Sequence, residues 1–266
     1  MLNSDRLLVL KLGGSVITDK RKAFTPRVSI IKAISRQLSK IKEPMLIVRG
    51  AGSFGHIPVK KFDLHRGFHE EQQLRGCSET KLRLLELDAI LLQNLIRHGV
   101  PAVMYTPSSM LIAGDGRIEE FNLEPMESLL SLGFVPLIGG DIVPDRKTGF
   151  SVVSGDQIAA YLAVRLKAKI LLLGSDVDGV FTSDPKKDRS AKLIGSLSIQ
   201  ELNARLSTIG TSSAPDVTGG MLGKLMETIQ VLRAGIEVVI FNLNKPERIE
   251  PIIKGDSVLC TRIHPS

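Results

Sequence analysis

The stretch Leu7-Leu8-Val9-Leu10-Lys11-Leu12-Gly13-Gly14-Ser15 runs an apolar segment straight into a pair of glycines. An apolar run of this length, closed by glycine, reads as a fully buried strand. Glycines at a strand exit let backbone N–H groups turn inward and approach phosphate oxygens closely. Lys11 interrupts the run, and a cation there is costly unless it snorkels to water or meets an anion. An edge-strand lysine reaching solvent is the plain alternative. Beside Gly13-Gly14, a phosphate ligand is the better reading.

The same strand grammar continues outward. Met45–Val48, Ala102–Tyr105, Phe134–Ile138, Lys169–Leu173 and Glu237–Phe241 are further short apolar runs. Helical patterns lie between them. Thr25-Pro26 predicts a helix running to about Lys40, with proline in the first turn. A longer helix is expected from near Ser78 to Gly99, on the apolar series Leu82, Leu85, Ala89, Leu92 and Ile96. Asn122 is expected to cap a helix stopping at Gly133, and two more should span roughly Gly155–Lys167 and Gly220–Ala234. Asp141–Val153 reads as a hairpin that turns at Asp145 to Gly149. Alternating strands and helices give an α/β fold with a mostly parallel sheet covered on both faces. A fresh strand with its own glycine-rich exit divides the chain into lobes 1–169 and 170–266.

Two more exits carry chemistry. Gly50-Ala51-Gly52-Ser53-Phe54-Gly55-His56 matches GxGxxG, but a dinucleotide site wants an acid about 20 residues on, closing a second strand. No such strand follows, so the segment reads as an anion-binding loop with His56 at its end. Gly174-Ser175-Asp176-Val177-Asp178-Gly179 is the third exit. Its acids serve either as turn formers or as partners of ribose hydroxyls and magnesium water.

Two helix starts add donors. Ser154-Gly155-Asp156 offers backbone N–H groups to an anion, while Asp156 is placed either to cap the helix or to organise lysines. Gly219-Gly220-Met221-Leu222-Gly223-Lys224 resembles a Walker A loop but misses its spacing by one residue, because position 218 is Thr. Lys224 stands one turn into that helix, within reach of phosphates, against the alternative of a solvated helix lysine. Several glycine-led sites at one sheet edge suit phosphoryl transfer, where catalysis is mostly positioning and charge neutralisation.

Composition narrows the partners. The 266 residues are 43% hydrophobic, so a sizeable core is expected, while aromatics make up only 4% and Trp is absent. With a formal charge of +7 scattered among acids, anionic small molecules fit better than nucleic acid, which favours basic stripes interleaved with aromatics. Cys77 and Cys260 stand far apart and no metal-ligand spacing occurs, which argues against a disulfide framework or a structural zinc. No run reaches the ~18 apolar residues of a membrane span. The N-terminal stretch lacks signal-peptide character, so a soluble, cytoplasmic protein is expected.

Taken in order, KLGGS, GAGSFGH, GGD, SGD, GSDVDGVFTSDP and TGGMLGK resemble the amino acid kinase superfamily over nearly the whole chain. GAGSFGH with His56, and KLGGSVITDK, resemble the isopentenyl phosphate kinases within it. That resemblance implies a three-layer αβα sandwich, ATP-dependent phosphorylation of isopentenyl phosphate, and a homodimer. It places the acceptor in lobe 1–169 and MgATP in lobe 170–266. Lys11, Gly13, Gly14 and Ser15 would line the ATP phosphates, with Gly52 near the transferred group. Lys20 would stabilise the transition state. Ala51, His56 and Gly155 would hold the substrate phosphate, and Asp156 would organise the lysines. Asp176 would sit near the nucleoside, and Gly220 and Lys224 near the triphosphate. Ala51 stands where family members often have glycine, a change that a backbone N–H contact survives. The alternatives are a kinase for another small phosphate, phosphonate or carboxylate, or a non-catalytic nucleotide-binding protein of the same fold.

Overall fold

The computed structural model describes residues 6–211 and 219–265. The chain opens with β1 (Leu8–Leu12), a short helix α1 (Gly14–Ile17), α2 (Val28–Leu38) and β2 (Met45–Arg49). Then come α3 (Gly52–Lys61), α4 (Gln72–Arg97), β3 (Ala102–Met104) and the hairpin β4 (Leu111–Gly114) to β5 (Arg117–Phe121). Helix α5 (Glu124–Ser131) leads to β6 (Val135–Gly139), the hairpin β7 (Asp141–Asp145) to β8 (Gly149–Val153), and α6 (Gly155–Arg165). The remainder is β9 (Ile170–Ser175), β10 (Val180–Phe181), β11 (Leu193–Ile194), β12 (Ser196–Ser198) and α7 (Ile199–Thr211), followed by α8 (Gly219–Arg233), β13 (Glu237–Asn242), α9 (Ile249–Lys254) and β14 (Cys260–His264).

Eight strands form one sheet in the order β12-β14-β13-β9-β1-β2-β6-β3, parallel except at β13–β14. Strands β1, β2, β6 and β9 are buried along their whole length, as central parallel strands require. Each face carries its own core. Val9, Leu46, Val48 and Leu171 pack with residues of α6 and α8, whereas Leu8, Leu10, Leu12 and Ile47 pack with residues of α2 and α4. The chain is therefore a three-layer αβα sandwich, as the resemblance implies. A separate four-stranded sheet, β5-β4-β7-β8, stands beside it.

Several boundaries differ from expectation, each for a local reason. Helix α2 begins at Val28 because Thr25 and Arg27 are engaged upstream. The Thr25 carbonyl accepts the Asp19 N–H, the Arg27 N–H donates to Ile17, and Pro26 bridges Thr18. Helix α4 begins six residues before Ser78, and the Gln73 side chain accepts the His69 and Glu70 N–H groups at its start. Its buried stripe is Leu84, Leu87, Leu91 and Leu95; Leu82, Leu85 and Ile96 face outward. The segment after Gly50 is not a loop ending at His56 but the start of helix α3, with His56 in its second turn. The hairpin β4–β5 and strand β14 have no counterpart in the sequence reading.

Candidate active site

The side-chain alternation of β1 determines what Lys11 meets. Leu8, Leu10 and Leu12 point into one core, so Lys11 shares the opposite face with Val9, below α6 and α8. There its ammonium lies 3.0 Å from Asp156 Oδ2 and 2.9 Å from Oδ1. Lys224, buried on α8, donates to the same carboxylate at 2.8 Å. Neither lysine is a solvated surface residue. Asp156 stands in the first turn of α6, whose cap is Ser154, with its Oγ accepting the Gln157 N–H at 3.0 Å.

Electrostatics here are strongly coupled. Burial lowers the Lys11 pKa, the neighbouring Lys224 charge lowers it further, and Asp156 resists, leaving it at about 8. Burial works to raise the Asp156 pKa, but the charges of Lys11 and Lys224 overturn that and hold the carboxyl well below its usual range. His56 is pushed below the ordinary histidine value by desolvation and then by the Lys11 and Lys20 charges. It is therefore a mostly neutral imidazole at neutral pH, open at the cleft wall.

These residues line one cleft of about 1050 Å³. Its floor is made by the ends of adjacent strands: Gly13 and Gly14 after β1, Gly50 and Ala51 after β2, and Gly174 within β9. Here the backbones touch, and a Cβ on Gly14 would stand 2.8 Å from the Gly52 Cα. Gly52 has φ +52° and packs on Thr18, whose hydroxyl accepts the Ser53 N–H at 3.0 Å. It is buried behind the cleft wall, while Ser15, Ala51, His56 and Gly155 line it.

At the mouth, Lys20 lies 3.7 Å and Lys186 2.7 Å from Asp176 Oδ2. Burial tends to raise the Asp176 pKa, and the Lys186 hydrogen bond and Lys20 charge reverse it. Gly220 lies in the first turn of α8, one turn ahead of Lys224. Thr218 lies outside the described residues. Apolar side chains also line the cleft, among them Val59, Leu84, Ile142, Val152 and Val153.

Spacing alone did not reveal three groups. Lys81 reaches Asp141 Oδ2 and Ser108 Oγ, each at 2.7 Å, and Asp141 lines the cleft. Lys186 joins Asp176 from a loop ten residues on. Arg49, at the end of β2, and Asp88, on α4, form a buried ion pair. An arginine closing the apolar run of β2 was the available signal, since it poses the same desolvation question as Lys11.

Metal ligation can be tested against these donors. Asp141, Asp156 and Asp176, the cleft carboxylates described above, each hold a lysine. Among the described residues, no group of three or more His, Cys, Asp or Glu side chains could hold a metal ion. The described residues thus provide no carboxylate, histidine or cysteine cage for a cation. No helix among the described residues is long and apolar enough to cross a membrane.

Residues 6–242 match the amino acid kinase family. The chain is 36% identical to the isopentenyl phosphate kinase of Methanothermobacter thermautotrophicus, over 97% of its own length and 98% of that protein. It is 32% identical to the isopentenyl phosphate kinase of Thermoplasma acidophilum, covering 93% and 96% of the two chains. A solved structure of an isopentenyl phosphate kinase superposes with TM-score 0.83 at 33% identity, over 97% of this chain and 99% of the other.

Proposed function

The chain belongs to the amino acid kinase family, and from that membership we propose that it transfers the γ-phosphate of ATP to isopentenyl phosphate, forming isopentenyl diphosphate. The observation that carries this reading is the Lys11–Asp156–Lys224 cluster, which sets two buried ammonium groups where the ends of β1, β2 and β9 meet in one cleft.

The donor belongs to lobe 170–266. Gly13, Gly14, Ser15 and Lys224 contact the ATP phosphates, Gly220 opens the helix that carries Lys224, and Asp176 lies towards the nucleoside. Gly52 supports the turn beneath the transferred group. The acceptor belongs to lobe 1–169. Its phosphate sits against Ala51, His56 and Gly155, and its apolar tail lies along Leu84 and Val59. A phosphate monoester with a second pKa near ~6 is already mostly dianionic at neutral pH, so its oxygen attacks without a general base. What the protein must do is bring two anions together. Lys11 and Lys224 offset their repulsion, Lys20 meets charge on the transferring group, and neutral His56 donates a hydrogen bond to the acceptor. Asp156 keeps both buried lysines aimed. Mg²⁺ would arrive with the nucleotide, held by phosphate oxygens and water, and it supplies charge neutralisation there.

The exposed stripe of α4 (Leu82, Leu85 and Ile96, with Leu74 about two turns before Leu82) supports a homodimer formed through that helix. A cytoplasmic location fits a substrate pair of soluble phosphates. The direct test mixes purified protein, MgATP and isopentenyl phosphate and assays the diphosphate by ³¹P NMR. Turnover of ATP only with other phosphates, phosphonates or carboxylates would replace the acceptor. Nucleotide binding without any transfer would reduce the protein to a binding module.

A further inference from the structure

Strand β2 ends in a charge that the chemistry above does not use. Met45 and Ile47 point to the α4 side of the sheet, and period two sends Arg49 the same way. It is only 2% exposed. Its Nε and Nη2 donate to the two carboxylate oxygens of Asp88 at 2.6 and 2.8 Å, and Nη1 donates to the Gly140 carbonyl at 2.7 Å.

The main chain of Arg49 is equally engaged. Its carbonyl accepts the Gly140 N–H at 3.2 Å. A Cβ on Gly155 would stand 2.7 Å from that carbonyl, and one on Gly139 would stand 2.6 Å from the guanidinium. A single residue therefore touches three pieces of the cleft wall: Gly50-Ala51, which follows it in sequence, Gly140-Asp141 after β6, and Gly155 at the start of α6. Asp88 ties all three to α4, one turn from Leu84 on the apolar wall.

We infer that Arg49 and Asp88 are positioning residues that set the acceptor-phosphate site, an inference that rests on the assignment of Ala51, His56 and Gly155 to that site. Stability alone does not call for the pair, because a buried ion pair is often no more stable than apolar side chains of the same volume. What the pair adds is direction. A planar guanidinium with its donors fixed in three directions locks the spacing between strand exits, which a point charge or an apolar contact does not.

The experiment compares Arg49→Lys and the double variant Arg49→Met/Asp88→Leu with the parent, measuring KM for each substrate and the melting temperature. Arg49→Lys keeps a cation for Asp88 but loses the fork. The acceptor KM should rise roughly tenfold, the cost of a misplaced charged hydrogen bond, while the ATP KM stays within about twofold. The double variant should melt close to the parent and show the same selective rise. An acceptor KM equal to the parent's in either folded variant overturns the inference. So does an equal rise in both KM values, which marks a merely structural pair. If the double variant does not fold, Arg49→Lys decides alone. If the parent itself makes no diphosphate from isopentenyl phosphate, the functional reading fails separately, and calorimetric binding of inorganic phosphate becomes the readout. Weaker binding by Arg49→Lys then supports the positioning role, and equal binding overturns it.

Discussion

Lys11 and Lys224, from opposite ends of the chain, converge on one oxygen of Asp156, at 2.9 and 2.8 Å. Two like charges share one counter-ion in a buried place, and the Lys224 charge lowers the affinity of Lys11 for its proton.

This coupling gives a pH signature. With Lys11 at about 8 in the free enzyme, kcat/KM for ATP should fall as pH rises through that value, because the ammonium proposed to meet phosphate is lost. Asp156 raises the Lys11 pKa, so Asp156→Asn should move the alkaline limb to lower pH. Lys224 lowers it, so Lys224→Met should move the limb to higher pH while reducing the rate. Full pH–rate profiles of the three proteins check the two opposite displacements, and limbs that coincide would disconnect Lys11 from the reaction.

His56→Ala should raise the acceptor KM by roughly 10- to 100-fold, the loss of one hydrogen bond to a charged group. The KM for ATP should change little. Initial-rate kinetics with each substrate varied in turn make the measurement, and unchanged acceptor kinetics would take His56 out of the site.

Lys20 stands at the cleft mouth, 3.7 Å from Asp176 and largely solvated. If it meets charge only as the phosphoryl group moves, Lys20→Ala should lower kcat by about 100-fold or more and leave ATP binding nearly intact. Pairing single-turnover rates with nucleotide titrations separates these effects. A weakened ATP affinity with normal kcat would make it a simple nucleotide ligand.

Leu82→Glu combined with Leu85→Glu places two charges on the exposed stripe of α4. Light scattering should then report a monomer where the parent is a dimer, with the acceptor KM little affected because the buried stripe, including Leu84, is untouched. A parent that is already monomeric would dispose of the dimer.

Much of this architecture is legible in the chain because its central strands are buried on both faces and therefore appear as unbroken apolar runs. Lys11 is equally legible, since a cation in such a run demands an anion. Helix α4 is harder. It carries leucines on two stripes, and the series Leu82, Leu85, Ala89, Leu92, Ile96 satisfies helical spacing as well as Leu84, Leu87, Leu91, Leu95 does. Only packing tells which stripe is inside. Gly50 to His56 reads as a loop because glycines and Pro58 weaken helix propensity, yet α3 forms by leaning on α4. The pairing of Lys81 with Asp141, sixty residues away, is set by tertiary contact and has no local trace. Arg49 was open to the argument applied to Lys11, but its partner on α4 was hidden inside the misread face.

The continuous pairing of β9, β1 and β2 has a final consequence. Neighbouring strands stand about 4.8 Å apart, so the glycine-bearing exits at their ends are held at a fixed gauge. Backbone hydrogen bonding across the sheet thus acts as the ruler for the spacing of the cleft floor. Surface loops can drift among related chains without changing that distance.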